Sequence, residues 1–224
     1  MMIAVGVGCV PPASTPTSDA ATFRDAGKRL ERARARLTPT QTRGLRISAT
    51  LAESRTGRTL AARGAIAVRP PDALRLQLVG PAGATALDVW IAGDRDRLAV
   101  PALDRVERGD GAPARPGRPV AFLRWWMLHP LDGTLLAAYR TDGATKAILR
   151  APDGARIEVD LDDDERTLHA TRHTATDDET VVSSGGPCGD ETYDSRASGV
   201  HVEIHCEGEA PDPSPRAFVD PDGG

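Results

Sequence analysis

The architecture is set by LRLQLVGPAGATALDV, the stretch that runs from Leu74 to Val89. Leucine recurs at every second position and alternates with Arg75 and Gln77, up to a Gly-Pro-Ala-Gly turn. After the turn the alternation resumes. Successive side chains of a strand point to opposite faces, so this period places the leucines on one face. The stretch therefore predicts two antiparallel strands with one apolar and one wet face.

The same alternation continues on both sides of this hairpin, with turns at intervals of about ten residues. The predicted strands cover residues 45–51, 62–68, 74–78, 87–91, 98–100, 134–140, 145–150, 156–161, 166–174 and 200–206. Such a series is typical of an antiparallel meander. If the sheet curls part of the way round, with helices over its open side, it encloses an apolar space. Periodicity alone leaves two alternatives open, a ligand cavity and a filled core.

Two helices are predicted. Apolar residues at helical spacing follow Asp19, which is placed to cap the helix, and Pro39 comes just beyond its end. Pro119 to Leu128 forms a second helix that carries Trp125 and Trp126. The basic residues of the first helix form either a solvated face or a contact surface for anionic lipid headgroups. They are Arg24, Lys28, Arg29, Arg32, Arg34 and Arg36.

Composition and motifs exclude several function classes. The chain has 224 residues, 40% of them apolar, and a net charge of -4, which fits one domain and does not favour nucleic-acid binding. Phosphate loops, nucleophile elbows and H-E-x-x-H motifs are absent from the sequence, so we expect no enzyme and no cofactor. Four histidines with a glutamate are either polar residues on a wet sheet face or a zinc site. They are His169, His173, His201, His205 and Glu203.

The three cysteines suggest an exported protein. Val7-Gly8-Cys9 resembles the end of a bacterial lipoprotein signal, and a Pro/Ser/Thr-rich tether follows it. Residues 1–18 are thus interpreted as a partial signal and tether with Cys9 lipidated, the alternative being a chance cysteine. With Cys9 lipidated, Cys188 and Cys206 remain as a pair, either disulfide-bonded or as two free thiols. Residues 19–209 are expected to form the domain, and residues 210–224 a disordered tail.

Several of these stretches, in this order, resemble a known family. A helix leads into Gln41-Thr42-Arg43-Gly44 and the first strand; the hairpin from Leu74 to Val89 has the family's P-x-G turn; and Arg118 to Pro130 is similar to its Trp-containing helix. The chain looks like the LolB outer-membrane lipoprotein receptors and, more broadly, the LolA/LolB-like half-barrel. The match covers residues 20–141.

The resemblance implies a mainly β (α+β) fold, an antiparallel half-open β-barrel with an N-terminal helix and a Trp-rich lid helix. It implies a monomer anchored by lipid at the periplasmic face of the outer membrane. Such a protein would bind acyl chains of lipoproteins or lipids and exchange them with a LolA-like periplasmic carrier. The alternative is a non-transporting envelope lipoprotein that acts as a scaffold or sensor. The expected cavity residues are Leu45, Ile47, Leu51, Ile66, Val68, Leu74, Leu76, Leu78, Leu87, Val89, Ile91 and Trp125.

One feature departs from the family, and a second supports the expected cavity. The turn after the third strand carries an exposed leucine in the family, which helps to deliver cargo to the membrane. Here the corresponding delivery loop is Pro81-Ala82-Gly83, with alanine in that position. Small residues on the expected inner face, Ala49, Ala62 and Gly64, predict space for an acyl chain beside the leucines and valines.

Overall fold

The computed structural model describes residues 18–81, 83–101, 104–110, 120, 123–141, 144–162, 167–184 and 188–223. Among these, one α-helix and thirteen strands account for most of the chain. They are α1 (Ala20–Leu37), β1 (Arg43–Glu53), β2 (Arg58–Arg69), β3 (Ala73–Val79), β4 (Thr85–Ala92), β5 (Arg95–Val100), β6 (Arg105–Asp110), β7 (Thr134–Thr141), β8 (Ala144–Arg150), β9 (Arg156–Asp162), β10 (Thr167–His173), β11 (Asp178–Ser184), β12 (Asp190–Ser195) and β13 (Val200–Ala210).

All thirteen strands belong to one sheet, in the order β6-β5-β4-β3-β2-β1-β13-β12-β11-β10-β9-β8-β7. The chain starts at the centre, proceeds to the β6 edge, passes to the β7 edge and returns to pair β13 with β1. Every neighbouring pair is antiparallel. The sheet stays open, with β6 and β7 at its two edges, so the expected half-open barrel is confirmed.

The stretch from Leu74 to Val89 lies in the hairpin of β3 and β4. Leu74 lies opposite Ile91 and Leu76 opposite Val89, and on the other side Leu76 lies opposite Ile66 of β2. These side chains are 4% exposed or less, which places them in the main apolar core. The register thus aligns the apolar faces of neighbouring strands, because a shift by one residue would turn every leucine outward.

Helix α1 begins and packs as its sequence predicts. Asp19 accepts a hydrogen bond from the Thr22 amide at 2.7 Å, which satisfies one free N–H at the helix N-terminus. Its buried face, with Ala26 and Leu30, packs against β7 and β8. The basic face is not uniformly solvated, because Arg34 donates to the backbone carbonyls of Leu131 at 2.9 Å and Gly133 at 2.5 Å.

The second helix, predicted for Pro119 to Leu128, is described at Val120 and from Leu123 onward, and its last part has π-helical geometry. This part spans Arg124–Leu128, which we call the tryptophan segment, and lies in the connection between β6 and β7. Trp125, Trp126 and Leu128 are buried, and their neighbours in the core come from both halves of the sheet. The segment therefore lies inside the concave face. A single π-helical turn in this position is often associated with function.

Residues 210–223, for which composition predicts a disordered tail, lie against the sheet in the structure. Pro215–Phe218 form a 3-10 turn on the outer face of β3 and β4, and Phe218 is only 4% exposed. Beyond it, Asp220 pairs with Arg108 of β6 at 2.9 Å. Composition suggested disorder because the segment is polar and rich in proline. Its one aromatic side chain and its carboxylates instead bind an outer face that holds the buried Trp90.

Three strands were not predicted: β6, β11 and β12. Each is rich in charged and hydroxyl residues on both faces, as in Asp-Glu-Thr-Tyr-Asp-Ser of β12, so no apolar alternation marks them.

Other expectations lie outside the described residues. These are the signal and lipidated Cys9, Ala82 of the delivery loop, and parts of the loop before the tryptophan segment.

Candidate functional site: the concave face of the sheet

The concave face has two chemically different walls. The first wall, from β1 to β5, is aliphatic and contains most of the expected cavity residues. Leu45 and Leu87 are partly buried against the core, and Trp125 from the tryptophan segment faces the same space. Leu51 differs from the others, because it lies at the far end of β1 and is 37% exposed. The remaining members are buried: Ile47, Ile66, Val68, Leu74, Leu76, Leu78, Val89 and Ile91.

The second wall, from β10 to β12, carries a polar network that the sequence did not predict. Arg172 donates to Glu179 at 2.5 Å, and the Tyr193 hydroxyl donates to the same carboxylate at 3.0 Å. Burial, and then the neighbouring Glu179 carboxylate, raise the pKa of Tyr193. A buried charge of this kind is tolerated because hydrogen bonds compensate its desolvation.

The tryptophan segment packs directly on this network. The Trp126 ring stacks on Tyr193 with ring centroids 5.5 Å apart, and the Arg172 guanidinium lies 5.8 Å from the centre of the Trp125 ring. Arg124 anchors the segment to the opposite wall, since it donates to the Arg95 carbonyl at 3.0 Å. The segment therefore bridges the two walls and occupies the space between them.

Among the described residues, a cavity of about 70 Å³ lies between the tryptophan segment and the centre of the sheet. Ligand pockets for small molecules generally enclose some 300–1,000 Å³. The interior is therefore nearly filled in this structure. Four expected residues, Leu45, Ile47, Ile66 and Val68, line the cavity, and the others, apart from the exposed Leu51, belong to the packed core around it.

One end of the cavity is polar. Arg43 of β1, Ser183 of β11 and Glu191 of β12 line it together with Trp126. Burial raises the pKa of Glu191 to about 7, although Arg43 and the nearby Trp126 indole oppose the shift. Burial also lowers the pKa of Arg43, while Glu191 acts in the opposite direction. None of these three residues was singled out from the sequence.

A disulfide closes the same end of the cavity. Cys188 and Cys206 are bonded, with their Cα atoms 5.3 Å apart, so the predicted pairing is confirmed. Both cysteines line the cavity, and the bond ties the start of β12 to β13. It therefore fixes the chain beside Glu191, three residues after Cys188.

Small inward residues do not leave the expected space. A Cβ atom on Gly64 would lie 1.8 Å from the backbone oxygen of Gln77, so the backbone of β3 itself fills the volume. Ala49 and Ala62 are buried in the main core. The glycine permits a close approach of two strands, which explains its presence without a ligand.

The histidine pairs lie on the outer face of the sheet. Each ring pairs with a carboxylate, as His201 does with Asp194 at 2.7 Å and His205 with Asp190 at 2.5 Å. Within the described part of the chain, no group of three or more metal-ligating side chains could hold an ion. The geometry of these residues therefore does not support the zinc alternative.

The predicted delivery loop lies between β3 and β4, and the structure describes it on either side of Ala82. The Gly83 amide donates to the Gly80 carbonyl at 2.9 Å, and Gly83 has a φ of +79°, which glycine adopts without strain. Pro81 and Gly83 are exposed.

Of the helices that the structure describes, none is long and apolar enough to cross a membrane.

Sequence reasoning missed the polar end because it followed apolar alternation alone. On β11 and β12 the inward positions are Glu179, Val181 and Ser183, and then Glu191 and Tyr193. The outward positions are mostly polar too, and β11 has one valine on each face, so the inner face cannot be recognised from hydropathy. Neither β11 nor β12 has bulky apolar residues at period two, so the sequence carries no such signal for this face.

Comparisons of the structure identify its fold. A LolA superfamily protein from Nitrosomonas europaea superposes with a TM-score of 0.60 at 12% identity, over 87% of this chain and 97% of the other. An outer membrane lipoprotein-sorting protein domain from Vibrio parahaemolyticus gives 0.54 at 12% identity, over 88% and 97% of the two chains. A DUF1329 family protein from Desulfovibrio piger gives 0.55 at 12% identity, over 93% and 100%.

These superpositions show that the chain has the LolA/LolB-like half-barrel fold. They also place the C-terminal strands in that fold, since they cover most of the chain beyond residue 141. No protein-family model and no curated protein matches the sequence.

Proposed function

We propose that this chain is an envelope lipoprotein that binds acyl chains between the two walls of its half-barrel and accepts or transfers lipids or lipoproteins. The observation that carries this proposal is the aliphatic wall, which faces a bridging tryptophan segment across an open sheet. A methylene gains about 0.8 kcal/mol on leaving water, so a long acyl chain would gain about 10 kcal/mol there. That gain is comparable to the gain in a bilayer, which permits exchange without a nucleotide.

The filled interior sets a condition on binding. A cavity of about 70 Å³ does not hold an acyl chain, so the tryptophan segment has to move outward as the chain enters. Apolar surface that the segment leaves would then be covered by the ligand. Binding thereby replaces one set of apolar contacts with another.

Occupancy of the cavity can be tested at Leu45, which lines it and is only partly buried. Leu45→Trp should weaken binding of a fluorescent fatty-acyl probe about tenfold, because the larger ring blocks entry while the partly open position limits overpacking. Leu51→Trp is the matched control, since Leu51 lies on the same face of β1 but outside the cavity. Equal affinities for both variants would contradict binding in this cavity.

Location and delivery are part of the same proposal. Cys9 would carry the lipid anchor, at the periplasmic face of the outer membrane, and a LolA-like carrier would supply the cargo. Expressed behind a complete lipoprotein signal, Cys9→Ser should move the protein from the membrane to the soluble periplasmic fraction. A variant that stays in the membrane fraction as firmly as the wild type would contradict the anchor.

The small size of the cavity favours one competing function, that of a scaffold or sensor whose interior is a permanent core. In that case the protein purified from cells would hold no lipid by mass spectrometry, and no acyl probe would bind. Co-purified lipid in molar amounts, or saturable probe binding, would instead favour the acyl-binding function.

A further inference from the structure

The polar end of the cavity contains hydrogen-bonding groups without partners. Ser183 is 5% exposed, and its hydroxyl has no hydrogen-bond partner among the described residues. The Nε atom of Arg43 is likewise buried without a partner in the described part of the chain. A buried donor left unsatisfied costs about 1–3 kcal/mol, so such groups in a cavity wall favour a ligand that satisfies them.

Position brings these groups together on one surface. Ser183 and Glu191 are direct partners in the β11–β12 register, and both side chains point into the cavity. Directly opposed residues of antiparallel strands have Cβ atoms about 5 Å apart. Arg43 lines the same cavity from β1 and interacts electrostatically with Glu191, but the two side chains do not form an ion pair within the described chain. The guanidinium, the hydroxyl and the carboxyl therefore line one cavity, in which a polar group of a ligand would meet them.

We propose that Arg43, Ser183 and Glu191 bind the neutral amide or ester group that joins an acyl chain to its head. Its carbonyl oxygen would accept hydrogen bonds from Arg43 and Ser183, and an amide N–H would donate to Glu191. This inference rests on the proposed acyl-binding function and adds a binding site for the ligand's polar linkage. The apolar residues Leu45 and Ile66 then contact the first methylenes beyond the linkage.

The chemistry of the three residues favours a neutral linkage over a free carboxylate. A carboxylate would pair with Arg43 but would lie beside the Glu191 carboxyl, which is already costly to ionise in this environment. An amide or ester carbonyl accepts the same hydrogen bonds without adding a second negative charge. An alkane forms no hydrogen bond with any of the buried polar atoms.

The test compares three competitors with the same chain: N-methyltetradecanamide, tetradecanoate and tetradecane. In each assay the competitor displaces a polarity-sensitive acyl fluorophore from the full chain. The assay is run at about pH 8, where the carboxyl of tetradecanoate and that of Glu191 are both largely ionised. We expect the amide to bind about tenfold more tightly than the alkane, a difference that corresponds to about 1.4 kcal/mol. We also expect it to bind more tightly than the carboxylate.

Ser183→Ala provides the sharpest variant. Because the Ser183 hydroxyl has no partner among the described residues, its removal should leave the midpoint of urea unfolding unchanged or raise it. The same change should weaken the amide about fivefold and leave the alkane unaffected. Ser184→Ala is the matched control, since Ser184 is the next residue on β11 and is exposed on the other face.

Arg43→Gln should weaken the amide about tenfold, because a charge-assisted hydrogen bond is lost. Its control is Arg46→Gln, on the same strand but exposed on the outer face. If Arg43→Gln unfolds the protein, the effect of Ser183→Ala on amide binding still tests the proposed site. Equal affinity for amide and alkane, tighter binding of the carboxylate, or no effect of Ser183→Ala would overturn this site while leaving acyl binding intact. If none of the three competitors displaces the fluorophore, the proposed function itself fails.

Discussion

Replacing Glu191 with glutamine tests the electrostatics of the cavity's polar end. Burial raises the pKa of this carboxyl from 4.5 to about 7 in the folded protein. Below about pH 4.5 both the folded and the unfolded chain hold the proton, and stability from this group is at its maximum. Between pH 4.5 and about 7 only the unfolded chain loses it, so the free energy of unfolding falls as pH rises. At 1.36 kcal/mol per pH unit the loss reaches about 3 kcal/mol above pH 7.

Glutamine keeps the shape and cannot ionise, so Glu191→Gln should not lose this stability. In urea unfolding followed by tryptophan fluorescence, wild type and variant should be equally stable near pH 4.5. At about pH 8 the variant should be more stable by up to about 3 kcal/mol, and the difference should grow steadily between the two. Taking the difference cancels the contribution of all other titrating groups.

Glu31→Gln is the control, because the Glu31 side chain is 78% exposed on α1 and its removal should give no such trend. A constant difference between Glu191→Gln and wild type across the pH range would refute the reasoning. A variant that is less stable than wild type at about pH 8 would also refute it. In that case the attraction between Glu191 and Arg43 outweighs the cost of burying the carboxylate.

Two further changes test other parts of the structure. Replacing Cys188 and Cys206 together with serine should lower the free energy of unfolding by about 3 kcal/mol, because the bond closes a loop with a sequence separation of 18 residues; an unchanged urea midpoint, with and without reductant, would contradict this. Phe218→Ala should cost about 3 kcal/mol by emptying the buried site on the outer face of β3 and β4, without affecting acyl-probe binding; a change below about 0.5 kcal/mol would show that the C-terminal turn does not contribute to the fold.

The sequence by itself determined the aliphatic wall. In β1 to β4, apolar residues occupy successive inward positions, so period-two alternation identified the strands and their inward residues together. Local chemistry determined the cap at Asp19 and the turn at Gly83, because both depend on groups a few residues apart. The pairing of Cys188 with Cys206 followed from counting, on the hypothesis that Cys9 carries a lipid.

Only the tertiary structure decided the second wall and the volume between the walls. Glu179, Ser183 and Glu191 face inward on strands whose outer faces are equally polar, so their burial depends on partners from distant strands and from the tryptophan segment. The same holds for Phe218, which is buried only because the outer face of β3 and β4 offers it a site. Cavity volume depends on how the backbones approach, as at Gly64, where Gln77 fills the space that a small residue seemed to leave. Alternation records which face a side chain takes, whereas packing distances and buried polar partners exist only once the sheet has curled.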